Sequence, residues 1–144
     1  MIIWPSQGQI YRTLPDCFKK FYPDTRCIID YSEIFIETTS SLDTQCQDWS
    51  DYKSHCTFEF LVAITPNGAV SWISPAYGGR ASDIHIVRES GFLDLLKPYD
   101  RIIADRGFKL KTDLALKQCY LSIYLHLRRK ALKRSVVMCV KPRR

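Results

Sequence analysis

Cys27-Ile-Ile-Asp-Tyr-Ser-Glu-Ile-Phe-Ile-Glu37 and Arg101-Ile-Ile-Ala-Asp-Arg-Gly-Phe108 are the two stretches on which the fold turns. The first is rich in Ile, Tyr and Phe and reads as a buried strand; the second opens with a short apolar strand. Each carries an aspartate, Asp30 inside the first run and Asp105 at the end of the second. A third, Asp83, lies in Gly78-Gly-Arg-Ala-Ser-Asp-Ile-His85, where a helix begins. Carboxylates carried at strand ends can converge and hold divalent cations through hard oxygen ligands. Two such cations, about 3.5–4 Å apart, clamp the attacking and leaving oxygens in phosphodiester cleavage.

Outward from these runs the order of elements takes shape. Gln7–Phe21 has Ile10, Leu14, Cys17, Phe18 and Phe21 at approximate helical spacing, interrupted by Pro15, and reads as a short helix or two turns. Thr38–Asp51 is polar and reads as a loop with a short helical turn. Thr57–Thr65 and Ala69–Ser74 form a hairpin around the turn Pro66-Asn67-Gly68. Tyr77–Arg80 is expected as a flexible loop. Ser82 or Asp83 caps a helix toward Lys97, broken near Gly91. Arg101–Ala104 is a strand, and Lys109–Tyr120 is expected to be a helix. A strand reached through a helix favours a parallel crossover, so the sheet should be mixed.

The chain has 144 residues, enough for one domain with a real core. No apolar run approaches the roughly 20 residues that span a bilayer, and the N-terminus lacks the pattern of a secretory signal, so an intracellular protein without a membrane is expected. Six cysteines form no CxxC pair and read as reduced thiols rather than a zinc site. The formal charge of +6 is concentrated. Eight of the 21 Lys and Arg residues, and no Asp or Glu, lie in 124–144; positions 1–123 keep thirteen basic against fifteen acidic residues. Residues 1–123 therefore read as the folded unit, and 124–144 as a basic, poorly ordered tail able to touch phosphate backbones nonspecifically.

Each candidate has a plainer role beside the chemical one. Asp30 is costly inside an apolar strand unless a metal or a basic group partners it. On that strand it shares a face with Ile28, Ser32, Ile34 and Ile36, whereas Glu33 faces the other side. Asp105 could pair with Arg106, and Asp83 could simply start its helix. His55 and His85 read more readily as packing or surface residues, and Lys53 and Arg80 as surface charge.

The order of elements and the strings Ile28-Ile-Asp-Tyr-Ser-Glu-Ile-Phe-Ile-Glu37, Trp49-Ser-Asp-Tyr-Lys-Ser-His55, Phe60-Leu-Val-Ala-Ile-Thr-Pro-Asn-Gly68, Gly78-Gly-Arg-Ala-Ser-Asp83 and Ala104-Asp-Arg-Gly-Phe108 resemble the DDE superfamily endonuclease domain. The closest likeness is to PIF/Harbinger-type transposases and their domesticated nuclease relatives, over about Trp4 to Ile123. The resemblance implies an α/β, RNase H-like mixed sheet with flanking helices, incomplete at the C-terminal end. It implies Mg²⁺ or Mn²⁺ as cofactor, DNA as substrate, and Asp30, Asp83 and Asp105 as catalytic metal ligands. The composition of the basic tail suits nuclear import, so a nuclear location is expected; a separate DNA-binding partner protein is also expected, and the oligomeric state is left open.

Two departures stand against catalysis by the chain alone. The family's final glutamate lies on a later helix, and no residue after Asp113 is acidic here. From about Tyr124 the sequence becomes a basic run unlike the family, which reads as a truncated, frameshifted or misspliced copy. The expectation is a metal-binding nuclease domain, inactive by itself. The alternative is a non-catalytic nucleic-acid-binding or adaptor module that uses the basic tail.

Overall fold

The computed structural model describes residues 3–37, 48–50, 54–105 and 107–124. Seven strands run through them: β1 (Thr25–Phe35), β2 (Trp49–Ser50), β3 (His55–Ile64), β4 (Val70–Ile73), β5 (Tyr77–Gly78), β6 (Arg101–Asp105) and β7 (Tyr120–Tyr124). The helices are α1 (Gln7–Arg12), α2 (Asp16–Phe21), α3 (Asp83–Glu89) and α4 (Lys111–Leu116), with a 3-10 turn at Phe92–Leu95. The loop read over Thr38–Asp51 falls mostly outside the described residues, as do Cys46, Lys53, Arg106, Cys139 and the basic tail beyond Tyr124.

β1 is the central strand. On one side it pairs antiparallel with β3, Asp30 standing opposite Val62. On the other it pairs parallel with β6, which pairs parallel with β7. The far edge of β3 holds β2, β4 and β5. A hairpin on one side of β1, parallel strands on the other and flanking helices make a mixed α/β sheet consistent with an RNase H-like fold.

Side-chain alternation gives this sheet two unlike faces. Cys27 and Ile29 of β1, Leu61 and Ala63 of β3, and Ile102 and Ala104 of β6 share the core face. Ile86 and Val87 of α3, Phe92 of the 3-10 turn and Leu114 of α4 pack into the same cluster. α3 starts at Ser82, whose hydroxyl accepts the His85 N–H at 3.3 Å. It stops before Gly91, whose φ of +78° leaves the helical region at little cost for a residue without Cβ.

Two expectations change. The helix read over Lys109–Tyr120 spans only Lys111–Leu116, and Tyr120-Leu-Ser-Ile-Tyr124 forms β7 instead. The Leu114 carbonyl accepts the N–H groups of both Lys117 and Cys119, which closes the last turn. The β-prone residues that follow then find partners on β6. Tyr77–Arg80 is not all loop either, because Tyr77 and Gly78 pair with Glu59 and Phe58. Gly79 follows with its N–H on the Thr57 carbonyl at 2.8 Å. A Cβ there would lie 2.3 Å from Thr57 Oγ1 and 3.0 Å from the Asp48 carbonyl, so only glycine lets this segment lie flat on β3.

The four described cysteines are free thiols, and of these only Cys17 is exposed. At the start of the parallel strands, Arg26 Nε lies 3.6 Å from Asp100 Oδ2, with the two side chains 3% and 1% exposed. Trp4 lies over the guanidinium at 4.9 Å, and Asp100 also accepts the Lys97 N–H at 2.9 Å. Two buried charges offset each other's desolvation only while both remain.

Two stability outcomes follow from this packing. Asp100→Ala strands the Arg26 cation in the interior and should cost about 3–5 kcal/mol in urea unfolding. Gly79→Ala should cost about 1–3 kcal/mol through overpacking against Thr57 and Asp48, read as a lower denaturant midpoint at unchanged slope.

Candidate metal centre

The parallel ladder between β1 and β6 sets the geometry of the site. Its last recorded pair joins Ile29 to Ala104, so Asp30 and Asp105 are the next residue on each strand. Ile29 and Ala104 are fully buried on the core face. By alternation both aspartates turn to the opposite face, on neighbouring strands. Asp30 Oδ1 accepts the N–H of Tyr31 at 2.9 Å. Burial against the apolar strands raises the Asp30 pKa, the Tyr31 N–H pulls it back down, and the negative charge of Asp105 adds to the rise. A carboxyl pushed up in this way favours the company of a cation. The oxygen-only donor set of this pair fits a hard divalent ion.

Asp83 is placed differently. It is the first residue of α3, the helix whose Ile86 and Val87 pack into the core face of the sheet. Its carboxyl pKa is raised, chiefly by burial, with its own backbone N–H acting the other way. Asp30 and Asp105 therefore belong to one face of the sheet, and Asp83 to the helix on the other. Among the described residues no three His, Cys, Asp or Glu side chains form a group able to hold a metal ion. The sequence suggests three converging aspartates; the structure brings two of them together directly.

The link to the third aspartate is Tyr31, a residue that sequence reasoning passed over. Its hydroxyl donates to the main-chain carbonyl of Asp83 at 2.7 Å. Its ring stacks on Phe108, with centroids 4.6 Å apart and planes 5° from parallel. The Phe108 N–H in turn donates to the Asp105 carbonyl at 3.1 Å. An aromatic residue close to each strand aspartate was the only sequence sign of this arrangement.

The remaining candidates take structural places. Glu33 stands opposite Glu59 on β3, an odd-numbered position as parity requires. His85 makes an edge contact with Tyr77 at 6.0 Å, and His55 with Phe35 at 5.6 Å. The pairing of Asp105 with Arg106, and any role of Lys53, lie outside the described residues.

No curated protein and no solved structure matches the chain. The sequence model of one family, described as DDE superfamily endonuclease, matches residues 29–135. The match begins beside Asp30, contains all three aspartates and continues past Tyr124 into residues outside the described set. A family whose members are endonucleases thus accounts for most of the chain, including all three aspartates, and this chain belongs to the DDE superfamily endonucleases.

Proposed function

We propose that the chain is a transposase-derived nuclease domain of PIF/Harbinger type that binds a divalent cation, Mg²⁺ or Mn²⁺, on Asp30 and Asp105. Asp83 supplies the third carboxylate from the start of α3. The observation that carries this reading is the placement of Asp30, midway along β1, next to Asp105, the last residue of β6, each one residue past the paired Ile29 and Ala104. A bound divalent ion would neutralise phosphate charge and activate the attacking oxygen. Asp30 and Asp105 would present oxygens to it, and the Tyr31 N–H fixes which Asp30 oxygen remains available. The substrate class is a DNA phosphodiester. The acid-free run 124–144, with its eight basic residues, would add sequence-independent phosphate contacts and suits nuclear entry.

Cleavage also needs a fourth carboxylate in this reading. No residue after Asp113 in this sequence is acidic, so the tests below read ion binding rather than cleavage. The first test is a Mn²⁺ titration by calorimetry. The wild type should bind saturably, while Asp30→Asn and Asp105→Asn should each lose at least tenfold in affinity, the scale on which a lost charged ligand acts. Undiminished binding in both variants would remove the site assignment.

The same carboxyl predicts a pH dependence. Asp30 titrates higher in the folded than in the unfolded chain, so its contribution to stability is present below the unfolded pKa and is lost as pH rises through the folded one. Without metal, Asp30→Asn should therefore unfold at a higher temperature than the wild type at about pH 7, by a few tenths of a kcal/mol, since Asp30 is exposed and solvent screens the charge. The difference should shrink as pH falls through the raised folded pKa toward the ordinary aspartate range. Mn²⁺ should raise the wild-type midpoint and leave the variant's unmoved.

A further inference from the structure

Ile86 and Val87 seat α3 on the core face of the sheet, but the place of its first residue against β1 depends on a contact of its own. Asp30 and Asp105 are fixed by the β1–β6 ladder, whereas Asp83 rides on α3, a helix of only seven residues. The capping hydroxyl of Ser82 fixes the local shape of its first turn but not its place relative to the sheet. One residue, through its main chain and its side chain, touches all three aspartate-bearing segments. Tyr31 gives its N–H to the Asp30 carboxylate, gives its hydroxyl to the Asp83 carbonyl, and stacks its ring on the Phe108 that closes the turn after Asp105.

The geometry points to Tyr31 as a positioning residue: its hydroxyl pins the start of α3 to β1 and so sets where the Asp83 carboxylate stands relative to the Asp30–Asp105 pair. This rests on the metal reading of those three aspartates, and it adds a residue that contacts neither ion nor substrate. Three features support it. The bond joins residues 52 positions apart, so it is tertiary rather than a local turn. The acceptor is a backbone carbonyl, so the pin acts on the chain and leaves the Asp83 carboxylate oxygens to a ligand. The parallel stacking on Phe108 restricts the ring, so that the hydroxyl is aimed and not swinging.

Tyr31→Phe in the full chain isolates the hydroxyl, because the ring and its stacking on Phe108 stay. Two readouts separate positioning from general stability. Amide exchange followed by NMR should quicken severalfold at Ile86, whose N–H bonds the Ser82 carbonyl at the start of α3, and stay unchanged at Ile29 and Ala63 in the sheet. Calorimetric Mn²⁺ affinity should fall about tenfold, as happens when a group that orients metal ligands is removed. Unchanged exchange at Ile86, or equal quickening at all three amides, overturns the pin. Unchanged Mn²⁺ affinity with local quickening also overturns it as a device for the site. If the wild type itself takes up no Mn²⁺, the metal reading falls, and the assignment of Tyr31 as a positioning residue falls with it, even where the exchange shows that α3 is held.

Discussion

The in-register parallel pairing of β1 with β6 is the constraint on which the rest of the structure depends. It places Ile29 and Ala104 together in the core and, one residue further along each strand, Asp30 beside Asp105. A slip of β6 by one residue against β1 would turn Asp105 into the core and expose the apolar residues with which that strand holds the sheet to its helices. The hydrophobic pattern that makes the fold thus also fixes which way the carboxylates face. The chemistry is written into the register rather than added to a finished scaffold.

The opposite end of the same two strands supports that register by different means. Arg26 and Asp100 are almost fully buried and answer each other's charge at 3.6 Å. The main-chain N–H of Arg101, next to Asp100, bonds the Asp24 carbonyl, and its side chain bonds the Asp24 carboxylate and the Ser122 hydroxyl. These contacts join the chain entering β1 to β6 and β7. A shift of β6 along β1 would part a buried cation from a buried anion, a far larger penalty than the loss of a few dispersion contacts. Opposite charges therefore hold one end of the ladder, and like charges gather at the other, where the site stands.

Much of this could be read from residues alone, and the limits have physical causes. The alternation in Cys27–Glu37 gave the correct face for Asp30 and set Glu33 on the other side, because strand parity is strictly local. Pro15 divided the N-terminal helical stretch into α1 and α2 as its missing N–H requires, and Gly91 ended α3. β7 was missed because Tyr120-Leu-Ser-Ile-Tyr124 becomes a strand only by pairing with β6, and no local pattern announces a partner. Gly79 was read as flexibility when its role is close approach to Thr57. The placement of Asp83 relative to the strand pair was not legible in the sequence. Its motif marks a helix start, but which face of the sheet the helix covers is decided by where Ile86 and Val87 find their core partners.

That placement bears on how the proposed site would work. Two carboxylates on adjacent strands burden the fold, since burial and mutual repulsion both disfavour the charged form of Asp30. The sheet tolerates this because Asp30 keeps solvent on one side, and because its neighbours supply burial elsewhere. A cation at the strand ends would relieve the repulsion, so ion binding and stability draw on the same electrostatic energy. A third carboxylate packed on the same face would deepen the burden before any ion arrived. Carried instead at the start of α3 and tied to β1 through the Tyr31 hydroxyl, Asp83 is held apart from that pair.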